Sequence, residues 1–142
     1  MDIKEFITYI NNLKGKSELE FSLETAVSSS TIYNVEEKLN LKFPEQVKLF
    51  YLSCNGLATK HPSLHIYKIE NLELDGNLLI FAKFNDTNEV AFDTSQLNNA
   101  KQWNIVNAKN KFCITLTMAS FWSNKIPAWL KNKRQIWDKE DY

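Results

Sequence analysis

The sequence predicts an α+β domain: a central, mostly antiparallel β-sheet with helices packed on it. Two observations carry this. Apolar residues recur at helical spacing through the first third of the chain, then change near Leu64 to the short aromatic and β-branched runs of strands. Those strands follow one another directly, and helical composition returns only after Ala119. The order helices, strands, helix favours an antiparallel sheet with one face covered.

The first helix follows Asp2 and Glu5, a capping-box pattern, with Ile3, Phe6, Ile7, Ile10 and Leu13 on one face and Gly15 as a left-handed stop. Around Leu19, Phe21 and Leu23 the alternation fits a short strand or an ordered loop. The run Ser28 to Thr31 caps a second helix whose apolar positions are Ile32, Val35 and Leu39.

A third helix opens at Phe43-Pro44-Glu45, with proline in the first helical position and Glu45 against the positive end of the dipole. Val47, Phe50, Tyr51 and Cys54 share one face, Leu49 and Leu52 lie opposite, and Asn55-Gly56 ends the helix. A helix apolar on both sides is either sandwiched in the fold or offers its second side to a partner.

Residues 64–69 and 78–84 read as strands with Asp75-Gly76 as a tight turn between them. Asn85 to Asn88 turn the chain into 89–93, which pairs with 78–84 as a hairpin, and 103–106 and 112–117 are two further strands. The final helical stretch must kink or split at Pro127. Its tryptophans 122 and 129 are expected to pack on the sheet, with Trp137 the most exposed of the four.

The 142 residues, 44% hydrophobic and with three glycines, suit one domain over residues 1–142 without a flexible linker. No apolar run approaches the roughly 20 residues of a membrane span, and no signal pattern appears, so a cytoplasmic location away from membranes is expected. Cys54 and Cys113 are expected as buried, reduced packing residues.

The net charge is zero but uneven: residues 64–98 carry −4 and residues 99–142 carry +5. Either the two regions are solvated faces that attract each other within the fold, or the acidic set Glu70, Glu73, Asp75, Asp86, Glu89 and Asp93 forms a surface for a basic partner. Sixteen of the 17 basic residues are lysine, which argues against nucleic acid, whose specific recognition leans on arginine forks.

Chemistry is sparse. There is no glycine-rich phosphate loop and no G-x-S-x-G elbow, and His61 and His65 are separated by Pro62, which disfavours a helical metal pair. Asn85 to Glu89 lacks the spacing and glycine of a calcium loop. The expectation is a protein without catalytic residues, cofactor or metal.

Ile32-x-x-x-Glu36 with Leu39 and Leu41, then Phe43-Pro44-Glu45, Lys48-x-Phe50 and Asn55-Gly56 resemble, in order and spacing, the helical signature of the SUKH superfamily. That superfamily includes the fungal Smi/Knr cell-wall-assembly regulators and many bacterial toxin-immunity proteins. Residues 78–93 are similar to its hairpin, and Ala119-Ser120-Phe121 to its late helix start, so the resemblance runs from about Ser28 to Leu130. Phe43 in place of leucine, Val47 in place of tyrosine, a hairpin turn without glycine and the interrupting Pro127 depart from the pattern.

The resemblance implies a non-enzymatic bacterial immunity protein that binds and neutralises a cognate toxin, often a nuclease; the alternative is a stand-alone scaffold that binds a cellular protein. Glu36, Pro44, Phe50, Asn55, Gly56 and Phe121 are its fold-signature positions.

Overall fold

A computed structural model describes residues 1–13 and 20–139. Helix α1 (Ile3–Leu13) starts where the Asp2 carboxylate accepts the Glu5 N–H at 2.8 Å, and it buries Ile3, Phe6 and Ile10. The stop expected at Gly15 and the expectation for Leu19 lie outside the described residues.

The following segment is a strand, β1 (Glu20–Leu23), and Ser28 caps α2 (Ser29–Leu39) by accepting the Thr31 N–H at 3.3 Å. Helix α3 (Glu45–Tyr51) is shorter than expected and corrects three readings. Pro44 is its N-cap rather than its first helical residue, and Asn55-Gly56 lie beyond its end. Cys54 follows the helix instead of belonging to it.

Among the described residues, eight strands form one antiparallel sheet. They are β1, β2 (Leu57–Lys60), β3 (Leu64–Ile66), β4 (Glu73–Asp75), β5 (Leu78–Phe84), β6 (Asn88–Asp93), β7 (Asn104–Asn107) and β8 (Cys113–Thr115). The order is β1-β2-β3-β5-β6-β7-β8. β4 shares one edge of β5 with β3, because β3 pairs with Ala82–Phe84 and β4 with Leu78–Ile80. The Asp75-Gly76 turn therefore joins β4 to β5, and residues 67–72, including the 3-10 turn Ile69–Asn71, loop out between two collinear strands. The expected 78–84/89–93 hairpin is present.

Strand β2 alternates in burial, with Leu57 and Thr59 facing the core and Ala58 and Lys60 less buried, but with a polar residue on its core side and only four positions no period shows in the sequence. At Phe81 the register slips, so Phe81 and Ala82 are both fully buried, and Phe81 stacks on Phe92 with centroids 3.8 Å apart.

After β8 the chain runs through α4 (Met118–Ser120), a π-helical stretch Phe121–Lys125 and α5 (Ile126–Asn132). Pro127 sits in the first turn of α5, where its missing N–H costs nothing, and the π-turn directly before it absorbs the break. Phe121 is fully buried edge-on to Phe81 and Phe84, on the helix-covered face of the sheet.

Trp137 reverses its expected exposure. It is buried, packed 5.0 Å from Trp129 and 5.7 Å from Phe84, and its carbonyl accepts the Asn107 amide at 2.8 Å. The segment after α5 thus closes the core instead of trailing away. Cys113 also corrects its reading: Cys54 is buried, but Cys113 is exposed, and both thiols are free. No helix is long and apolar enough to cross a membrane among the described residues.

Candidate functional site

Cross-strand partners in an antiparallel sheet project to the same face, so register sorts the acidic residues. One row runs Glu73–Ile80–Ala91–Val106–Cys113, and the next runs Asp75–Leu78–Asp93–Asn104. Glu89 stands two residues before Ala91 on the same face, opposite Lys83 and His65. The other face, with Leu79, Phe92 and Ile105, is fully buried beneath the helices. Glu73, Asp75, Glu89 and Asp93 therefore share the sheet face turned away from the helices.

The floor between these carboxylates is apolar. Ala91 and Val106 are buried, and Leu78 and Ile80 are half-buried. Tyr67 stands beside them with its ring 4.7 Å from His65. Its phenol is held above the usual value, first by burial and then by the charges of Glu89 and Glu73. His65 is pushed the other way, down, by burial and by Lys83. At one end the face dips into an open trough of about 500 Å³ bordered by Asp75, Glu89, Asn88 and Asp138, with Lys109 as its cation.

Two of the six acidic residues lie elsewhere. Glu70 accepts the Asn55 amide at 3.1 and 3.2 Å, while the Asn55 carbonyl oxygen accepts the Ile69 N–H at 2.8 Å. Asp86 accepts the Ser63 hydroxyl at 2.6 Å at the β5–β6 turn. Both carboxylates are engaged in positioning loops. Contiguity in sequence did not separate these roles; strand register did. Tyr67 and Ile80 were not singled out from sequence, although their period-two relation to His65 and Leu78 was the available signal.

The signature residues are architectural. Glu36 reaches from α2 to accept the Phe43 N–H at 2.7 Å, with Lys48 3.9 Å from the same oxygen. Pro44 and Phe50 are buried, and the neighbouring Tyr51 donates its hydroxyl to the Tyr67 carbonyl at 2.9 Å. Gly56 has φ +89°, and a Cβ there would meet the Ile66 carbonyl oxygen at 2.4 Å, so only glycine fits. Leu49 and Leu52, by contrast, are each 40% exposed on the open side of α3. Among the described residues no group of three His, Cys, Asp or Glu side chains could hold a metal ion.

A comparison with curated proteins returns no match. A family model does match, across residues 26–124, more than half of the chain, and it covers α2, α3, the sheet from β2 onward and the start of the last helical run. Together with the Glu36, Pro44 and Asn55-Gly56 geometry, that match shows that the chain belongs to the SMI1/KNR4 family (SUKH-1).

Proposed function

We propose that this chain is a non-enzymatic protein-binding domain, an immunity protein that docks a basic toxin on the carboxylate-rimmed face of its sheet and neutralises it by occlusion. The observation that supports this reading is the arrangement of Glu73, Asp75, Glu89 and Asp93 around the apolar strip Leu78, Ile80 and Val106, with Tyr67 at its edge. An apolar centre with a polar rim is the anatomy of specific interfaces, and a tyrosine is a frequent anchor in them. The carboxylates would steer a toxin whose substrate cleft is basic, as nuclease clefts are, and would stand in for phosphates.

The test is co-expression with the toxin encoded beside this chain, scoring survival and co-purification. Reversing Glu73, Asp75 and Glu89 to lysine is expected to abolish protection, whereas reversing Asp86 leaves it intact. Protection that survives the triple reversal would sink the reading. The second reading, a regulatory scaffold for a cellular protein, is supported by the family's fungal relatives. It requires that no toxin gene adjoin this one and that the same face capture a non-toxin partner.

A further inference from the structure

The sheet has a second surface suited to binding, at the edge opposite β1. β8 is the last strand of the order, so its far side carries no strand among the described residues. Edge strands are usually blunted with charges or proline, as β4 is by Glu73 and Asp75. β8 is Cys113-Ile114-Thr115, with neither. Beside it lies an open groove of about 550 Å³. Phe112, Ile114 and Ile136 form its apolar wall, and Lys125, Arg134 and Lys139 form its rim. Among the described residues a single carboxylate, Asp138, lines it, already accepting the Asn110 amide at 3.0 Å. Lys125 and Lys139 make no ion pair among the described residues.

We propose that the β8 edge and this groove take an extended, acidic segment of a partner protein as an added strand. The backbone edge supplies the pairing template, alternate side chains of the incoming strand enter the groove, and its carboxylates meet the lysine rim. A protein strand fits better than nucleic acid. The wall is aliphatic with one phenylalanine rather than a stack of aromatic platforms, and two of the three cations are lysine. The groove adjoins the carboxylate-rimmed face, since Asp138 borders both and Cys113 ends one of that face's cross-strand rows, but its apolar wall and cationic rim are its own, and the proposal does not depend on the toxin reading.

The chain contains its own reporter. Cys113 lies on the edge strand and is exposed, whereas Cys54 is buried, so alkylation of the native protein reads the β8 edge. The probe is a synthetic peptide of about ten residues, alternating valine and glutamate, long enough to outreach the edge strand. Three comparison probes are the same peptide with lysine for glutamate, the same peptide with alternate backbone nitrogens methylated, and single-stranded oligothymidylate.

The acidic peptide is expected to slow Cys113 alkylation about fivefold or more at saturation, as strand addition covers the thiol. The N-methylated peptide leaves the rate unchanged, and the lysine peptide does so once Glu73 and Asp75 on the adjoining face are reversed. Lys125→Glu with Lys139→Glu removes the protection while the thermal midpoint stays put, and Lys125→Gln with Lys139→Gln weakens it if the reversal variant does not fold. Reversal of Glu73 and Asp75 has no effect on protection by the acidic peptide. Absence of protection by the acidic peptide, equal protection by the N-methylated one, or protection by oligothymidylate instead would each overturn the proposal.

Discussion

The Glu36 carboxylate accepts the backbone N–H of Phe43 at 2.7 Å, so a side chain on α2 satisfies the chain at the entrance to α3. Pro44 can offer no side-chain cap of its own, and the glutamate supplies the acceptor from seven residues back. Because the glutamate is largely buried, Glu36→Ala strands that N–H and is expected to cost about 1–3 kcal/mol in urea unfolding. Glu36→Gln retains an amide oxygen and recovers most of the loss. Lys48 is 3.9 Å away and 44% exposed, so Lys48→Met should change stability by less than about 1 kcal/mol. A larger effect from Lys48 than from Glu36 would reverse the assignment.

Gly56→Ala tests the other end of this region. The added methyl would sit 2.4 Å from the Ile66 carbonyl oxygen, and the residue would keep a left-handed φ of +89°. Backbone cannot yield as a flexible side chain does, so a loss of roughly 2 kcal/mol or more is expected. Gly76→Ala meets nothing within 4 Å and bears only the φ penalty, so it should be the milder of the two. Thermal unfolding of the pair decides it.

Trp137 is a core residue, whatever its place near the end of the numbering. Trp137→Ala removes the rings' contacts with Phe84 and Trp129 and should cost about 3–5 kcal/mol, the range for truncating a buried aromatic. Leu49→Ser and Leu52→Ser, both on the open side of α3, should each stay within about 0.5 kcal/mol of the parent, while Val47→Ala on the buried side exceeds either. Equal costs on the two sides of α3 would mean that the open side is covered.

Alkaline pH should unfold the protein by way of Cys54. Burial lifts its thiol from 9.0 to about 12, and Tyr51, also buried, is raised in the same direction. The folded state holds the thiol proton more tightly than the unfolded state, so this contribution is fully present below pH 9 and is lost as the pH rises towards 12. In that window stability should fall by roughly 1.4 kcal/mol per pH unit for the single proton, with Tyr51 steepening the top end. Cys54→Ala should flatten the slope between pH 9 and pH 11. An unchanged slope would assign the transition to other groups.

What could be read in the sequence was local. Asp2 with Glu5, Ser28 with Thr31 and the apolar spacing of α1 to α3 involve residues three or four apart, and these interactions form within one turn of helix. The hairpin of β5 and β6 was legible for the same reason, since a short polar turn fixes its register. The family signature marked residues now seen to hold the backbone in place: Glu36 at Phe43, Asn55 at Ile69, Gly56 against Ile66.

The tertiary structure decided the rest, because each remaining question turned on contacts between residues far apart in the chain. The six acidic residues were one cluster by sequence. Pairing of β4, β5 and β6 gathered four of them on one face and left Glu70 with Asn55 and Asp86 with Ser63. Cys54 and Cys113 looked alike until one lay under the sheet and the other on its edge strand. Trp137 is buried against Phe84 and Trp129, and Asn107, 30 residues earlier, donates to its carbonyl. Composition and periodicity choose the elements; the side of a sheet on which a charge lands depends on register, which is set only when distant strands pair.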